Sequence, residues 1–92
     1  MKAWELLSDE SKWTKEVAAR DVNGQPTFSG GDEAVCWCAL GAIIHCYACG
    51  MRNEYAKALS VAESKFGVKS LSHVNDIMGY DAVLAVLKEA DV

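Results

Sequence analysis

The stretch that decides the fold is "EAVCWCALGAIIHCYACG", Glu33 to Gly50. It holds all four cysteines of the 92-residue chain, one of its two histidines, and a Trp and a Tyr. Two readings compete for it: a metal or redox site, and a buried helix that packs sulfur as a hydrophobe. Asp32 is a good N-cap, and Glu33 in the first turn suits the helix dipole. Gly50 stands where a C′ glycine belongs. The segment is apolar nearly all round. It is therefore expected to be the central, buried helix, about residues 33–49.

Helical geometry then tests the sulfur chemistry. Each residue turns the direction by roughly 100°, so Cys38, Ala42, His45 and Cys49 fall on one stripe and Cys36 points almost opposite. Cys38 and His45 are separated by about 10 Å along the axis, too far to share an ion whose ligands lie within about 2.3 Å. His45 with Cys49, or Cys46 with Cys49, can supply two ligands, and the others would have to come from His73 or Asp76. "CYAC" is a C-x-x-C, but at the helix C-terminus, where the dipole raises a thiol pKa instead of lowering it. No metal site and no cofactor are expected. The cysteines are expected to pack as small hydrophobes, with Cys38 inert.

Working outward, "MKAWELLSDESKW" begins with a short amphipathic helix whose apolar face is Ala3, Leu6, Leu7 and Trp4. Asn23-Gly24 is a turn signal, and Thr14–Arg20 with Gln25–Phe28 can form the arms of a small β-hairpin at about residues 14–28. "KEVAAR" also reads as helix. Pro26 places its arm at an edge. A further helix fits "NEYAKALSVAESKFG", with Asn53 as cap, Gly67 as stop, and Tyr55, Ala58, Leu59, Ala62 and Phe66 facing inward. A last one runs from about Tyr80 to Ala90, its core face Val83, Leu84, Val86 and Leu87. The fold class is mainly α: a single domain of three or four helices around a central buried helix, with a small hairpin beside it.

Composition narrows the function. The net charge of −4 opposes non-specific binding to nucleic acid or to a membrane surface. The longest apolar run is too short to span a bilayer, and "MKAWELL" lacks the apolar core of a signal peptide. A cytoplasmic location, with reduced thiols, is expected. No arrangement of nucleophile, base and orienting group is visible, and "SGGD" lacks the lysine of a phosphate loop, so no enzymatic activity is expected. The candidate binding residues are Trp13, Arg20, Asp21, His73, Asn75 and Asp76. Trp13 is the candidate exposed anchor, since contact hot spots favour Trp. The other five can surround one polar pocket beside the central helix. Against this, Asn75 or Asp76 can simply cap a helical turn, and Arg20 can simply pair with a carboxylate.

Four pieces together carry a resemblance: Trp13, "ARDVNG" at 19–24, "AVCWCALGAI" at 34–43, and "VNDIMGYDAVLAVLKEA" at 74–90. The chain resembles a family of small bacterial and phage proteins known only as a domain of unknown function. That family shares an Ala-Arg-Asp…Gly turn, a Trp-Cys-x-x-Gly-Ala helix and an Asn-Asp before a closing helix. Val74 stands where the family commonly has an aromatic, and Cys36, Cys46 and Cys49 lie outside its pattern. The resemblance implies an architecture and a setting, not a reaction. Two functions are therefore expected. The first is a non-enzymatic binding protein, phage-derived in the sense of the resemblance, that occludes a host protein or nucleoprotein complex such as a defence complex; an acidic surface suits a basic partner. The alternative is a binder of a small polar, nucleotide-like ligand in the pocket beside the central helix.

Overall fold

The computed structural model describes residues 1–92. The helices are α1 (Ala3–Leu6), α2 (Ala39–Tyr47), α3 (Met51–Phe66), α4 (Leu71–His73) and α5 (Tyr80–Ala90). Two short strands, β1 (Ala19–Arg20) and β2 (Cys36–Trp37), form an antiparallel sheet. Single 3-10 turns occur at Glu10–Lys12 and Ala48–Gly50, and a π turn at Val74–Met78 follows α4. The chain is thus mainly helical with a small two-stranded sheet, the class its sequence predicts.

The core is built on α2, which packs against α1, α3 and α4. Ala39, Gly41, Ala42 and Ile43 are its buried residues. Ala58 and Ala62 are the buried residues of α3, both with no solvent exposure. Small side chains here let the helices approach closely. α5 packs against α3 and buries Val83, Val86 and Leu87, and Leu7, Leu71 and Val74 complete the same core cluster. Burying a Leu, Ile or Val in this way contributes roughly 1.5–3 kcal/mol each, a large share of a small domain's stability.

The central helix is half the length its pattern predicts. Residues 33–38 are not helical, Asp32 is not its cap, and Cys38 is the N-cap instead. The cause is tertiary pairing. Ala19 opposes Trp37 and Arg20 opposes Cys36. Val35 N donates to Arg20 O at 2.9 Å, Cys38 N to Ala18 O at 3.0 Å, and Thr14 N to Trp37 O at 3.0 Å. These bonds satisfy the backbone of 35–38 in extended form, and the Trp37 indole is anchored on Ser29 O at 2.9 Å. A short apolar run fits a buried strand as well as a helix, and here the partner strand decides. At the other end α2 stops at Tyr47, because Ala48 takes φ 44° and breaks the ladder. Gly50 is consequently the N-cap of α3, not a C′ residue.

Gly41 fixes where α2 begins. A Cβ at this position would lie 1.9 Å from Ala18 O. Only the bare backbone lets the first turn of the helix lie against the chain entering β1.

The hairpin reading holds only in part. Asp21 N donates to Gln25 O, Gly24 N to Asp21 O, and Thr27 N to Ala19 O, so a tight turn does form around Asn23-Gly24. Gly24 alone takes the positive φ, at 80°. Pro26 makes a single bridge to Arg20 at the edge. The paired strand of β1 is β2, and residues 14–18 are neither strand nor helix. Glu16 stands there with φ 73°, incompatible with either element. α3 begins at Met51, two residues before its expected cap Asn53, and ends on Gly67 in the left-handed region as its sequence predicts. α5 has the expected bounds.

Two tyrosines tie distant segments together through their hydroxyls. Tyr47 OH donates to Val92 O at 2.7 Å, and Tyr80 OH donates to Leu7 O. Burial raises both phenol pKa values above 10.0, and it raises the Cys38 and Cys46 thiols above 9.0. Groups raised on folding contribute stability that is full below their unfolded values and lost as pH rises through the folded ones. Denaturant midpoints are therefore expected to fall on the alkaline side, as pH rises through the ordinary thiol range and beyond. Tyr80→Phe should make the fall shallower in the same titration.

Candidate functional site

The polar centre of the molecule is Asn75, 1% exposed, in the π turn after α4. Its Oδ1 accepts from Trp13 Nε1 at 2.7 Å and from Ala39 N at 2.9 Å. Its Nδ2 donates to Thr14 O at 3.0 Å and to Asp76 Oδ1 at 2.9 Å. The Ala39 amide is one of the free donors at the start of α2, so Asn75 satisfies a helix end from 36 residues away. Asp76 Oδ1 also accepts from Glu16 N at 3.1 Å, which holds the left-handed residue in place. The second Asp76 oxygen makes no bond within the protein.

A cavity of about 140 Å³ opens beside this group, at the start of α2. Val17, Leu40 and Leu71 give it apolar walls, and Glu16, Cys38, Ser72 and Asp76 its polar edge. No basic residue lines it. Cys38 sits at the helix start, with its Sγ accepting from Gly41 N at 3.3 Å. Burial nevertheless pushes its thiol up, outweighing the Gly41 and Leu40 amides, and the Asp76 charge adds to the rise. The site presents a neutral thiol beside an anchored carboxylate.

The six residues flagged by sequence separate. Asn75 and Asp76 line the cavity as a linker and a clamp, and neither caps its own turn; the cap of α4 is Ser70. Trp13 is half-buried, bonded to Asn75 and tilted against Tyr80 at 5.7 Å, so it is no exposed anchor. Arg20 lies outside the cavity and pairs with no carboxylate. Its donors go to Thr14 Oγ1, Gly24 O and Lys15 O, which stiffens the chain that Asn75 grips. Asp21 is occupied by its own turn, accepting from Asn23 N and Gln25 N. His73 is exposed and apart from the cavity. Five polar residues around one pocket therefore reduce to two. Glu16, Cys38 and Ser72 join them. Nothing in "KEVAAR" announces that Glu16 leaves the helical region, while Cys38 was hidden by the expected helix register. No three His, Cys, Asp or Glu side chains converge anywhere in the molecule, and no helix is long and apolar enough to cross a membrane.

The family model described as Family of unknown function (DUF6197) matches residues 1–91. The chain belongs to this family. No curated protein and no solved structure matches it. The Asn-Asp and Trp-Cys-x-x-Gly-Ala pieces that carried the resemblance meet at one place: Asn75, Asp76, Cys38 and Gly41 all stand at the start of α2.

Two outcomes check this geometry. Asn75→Ala leaves the Trp13 indole and the Ala39 amide without their partner and should cost about 2–6 kcal/mol in urea unfolding, since each orphaned buried donor costs about 1–3 kcal/mol. Brief alkylation of the native protein at neutral pH, mapped by mass spectrometry, should label exposed Cys49 well before Cys38; fast labelling of Cys38 would contradict the raised thiol.

Proposed function

We propose that the chain is a non-enzymatic binding protein that acts by occluding a basic surface of a macromolecular partner, with the π turn and the cavity beside it as its contact face. The observation that carries this reading is the two-sidedness of Val74–Met78. The turn buries Val74 and Asn75 while leaving Ile77 73% and Met78 39% exposed. Single π turns are rare and occur frequently at functional sites. Apolar side chains held out by a rigid turn, next to the free oxygen of Asp76 and the exposed Glu16, suit a partner with an apolar spot ringed by Lys or Arg. The net charge of −4 favours the same partner by steering its approach.

At this face, cavity size supports a macromolecular partner over the small-ligand alternative. About 140 Å³ is less than half of the roughly 300 Å³ at which small-molecule pockets begin. A nucleotide does not fit, and Arg20 and His73, its expected contacts, stand elsewhere. One side chain from a partner does fit. The bacterial and phage setting of the resemblance makes a host complex the partner class to try first, in the cytoplasm.

The test is a pull-down from host lysate with four baits. The wild type should retain a stoichiometric, salt-sensitive partner. Ile77→Asp should lose it, and Val22→Asp, at an exposed position on the hairpin turn, should keep it. Asp76→Asn preserves the Oδ1 acceptor and removes the charge, so it should weaken binding and flatten its salt dependence. Retention by Ile77→Asp, or no stoichiometric partner at low and moderate salt, would sink the proposal.

A further inference from the structure

A second cavity, about 420 Å³, lies at the opposite end of α2. It is bounded by Phe28, Gly30, Ile44, His45, Ala48 and Cys49. Its volume falls inside the roughly 300–1,000 Å³ of small-molecule sites. None of the six residues is Asp, Glu, Lys or Arg, so nothing there would compensate the desolvation of a charged ligand.

Two of the walls are prepared for contact. Phe28 is 72% exposed, yet its ring has a defined seat. It folds back over Gly30 so closely that a Cβ there would lie 2.9 Å from the ring tip. Glycine at 30 is what allows an exposed aromatic to lie against backbone. An exposed ring held this way offers a π face for stacking.

His45 is oriented just as firmly. Its Nδ1 lies 2.8 Å from Ser29 O, the carbonyl that also accepts from Trp37 Nε1 at 2.9 Å. A carbonyl oxygen can only accept, so Nδ1 carries the proton of the neutral imidazole. The ring packs on Trp37 with centroids 4.8 Å apart. Nε2 is left as a lone-pair acceptor with no partner in the protein. The i, i+4 pairing of His45 with Cys49 suggested metal ligation in the sequence. Here the helix is broken between them at Ala48, and what they share is the lining of this cavity.

We propose that this cavity binds an uncharged planar heteroaromatic ring that carries an N–H or O–H donor. The ring stacks on Phe28 and packs against Ile44 and Ala48. Its donor bonds His45 Nε2. The Phe28 face selects flat aromatics, the uncharged lining rejects ionised ones, and the fixed imidazole tautomer selects donors over acceptors. The site is separate from the contact face assigned to the π turn and does not depend on it.

The probes are indole and N-methylindole, which differ by the ring donor. Each is titrated into the ¹⁵N-labelled full chain and followed by amide shifts. The expected result is saturable movement of Gly30, Gly31, Ala48 and Cys49, with indole bound more tightly. Phe28→Ala should weaken indole by about tenfold, the size of one aromatic stacking contact. Phe28 is largely exposed, so this variant should keep the wild-type spectrum elsewhere. His45→Ala should bind the two probes equally. Shifts centred on Val17, Leu71 and Asp76, equal affinity of the two probes for the wild type, or no saturable shift would each overturn the assignment.

Discussion

The side chain of Asn75 is the constraint on which the rest of the structure depends. One amide reaches the Trp13 ring, the Thr14 carbonyl, the first amide of α2 and the Asp76 carboxylate. It joins the segment before β1, the central helix and the π turn, none of which follows another directly in the chain. Buried polar groups bring a desolvation cost that only full hydrogen bonding offsets, so such a group specifies one arrangement and penalises near alternatives. Here every donor and acceptor of the amide is used. The π turn is part of the same arrangement. A regular helix from Leu71 would put Met78 on the inward face with Val74 and Asn75, whereas here it is 39% exposed.

What could be read from sequence were the elements with strong local signals. α5 follows its apolar spacing from Tyr80 to Ala90, and α3 ends where Gly67 permits a left-handed residue. The Asn23-Gly24 turn forms. The misreading at residues 33–38 has a physical origin. Val35, Cys36 and Trp37 are compatible with helix and strand alike, and the choice is made by a strand partner some 17 positions earlier (Trp37 opposes Ala19, Arg20 opposes Cys36). The sulfur directions worked out for a helix through Cys36 and Cys38 lapse with that helix.

The site was legible to the extent that its residues carry their own meaning. Asn75-Asp76 invited attention as a polar pair before a helix. Arg20 and His73 were grouped with them by sequence neighbourhood and chemistry, which do not imply convergence in space. Glu16 joins the cavity only because its backbone adopts φ 73° under a bond from its amide to Asp76, a conformation no side-chain pattern encodes. Gly41 illustrates the converse. A glycine within a helical run reads as a weak point, whereas its missing Cβ is what admits Ala18 O to the helix surface.

The contact between Ala3 and Val92 bears on how the chain folds. Ala3 N donates to Val92 O, Tyr47 donates to the same oxygen, and the Val92 side chain has no exposure. Closing a loop of this length costs more entropy than any other pairing in the molecule, though the cost grows only logarithmically with loop length. α1 has just four residues and cannot persist alone, so it depends on its packing against α2 and α5. On a ribosome, α1, α2 and α3 can dock as they emerge, but the Ala3–Val92 pairing closes only after Val92 has left the exit tunnel. Leu6 and Leu7 meanwhile lack the part of their cover that α5 supplies.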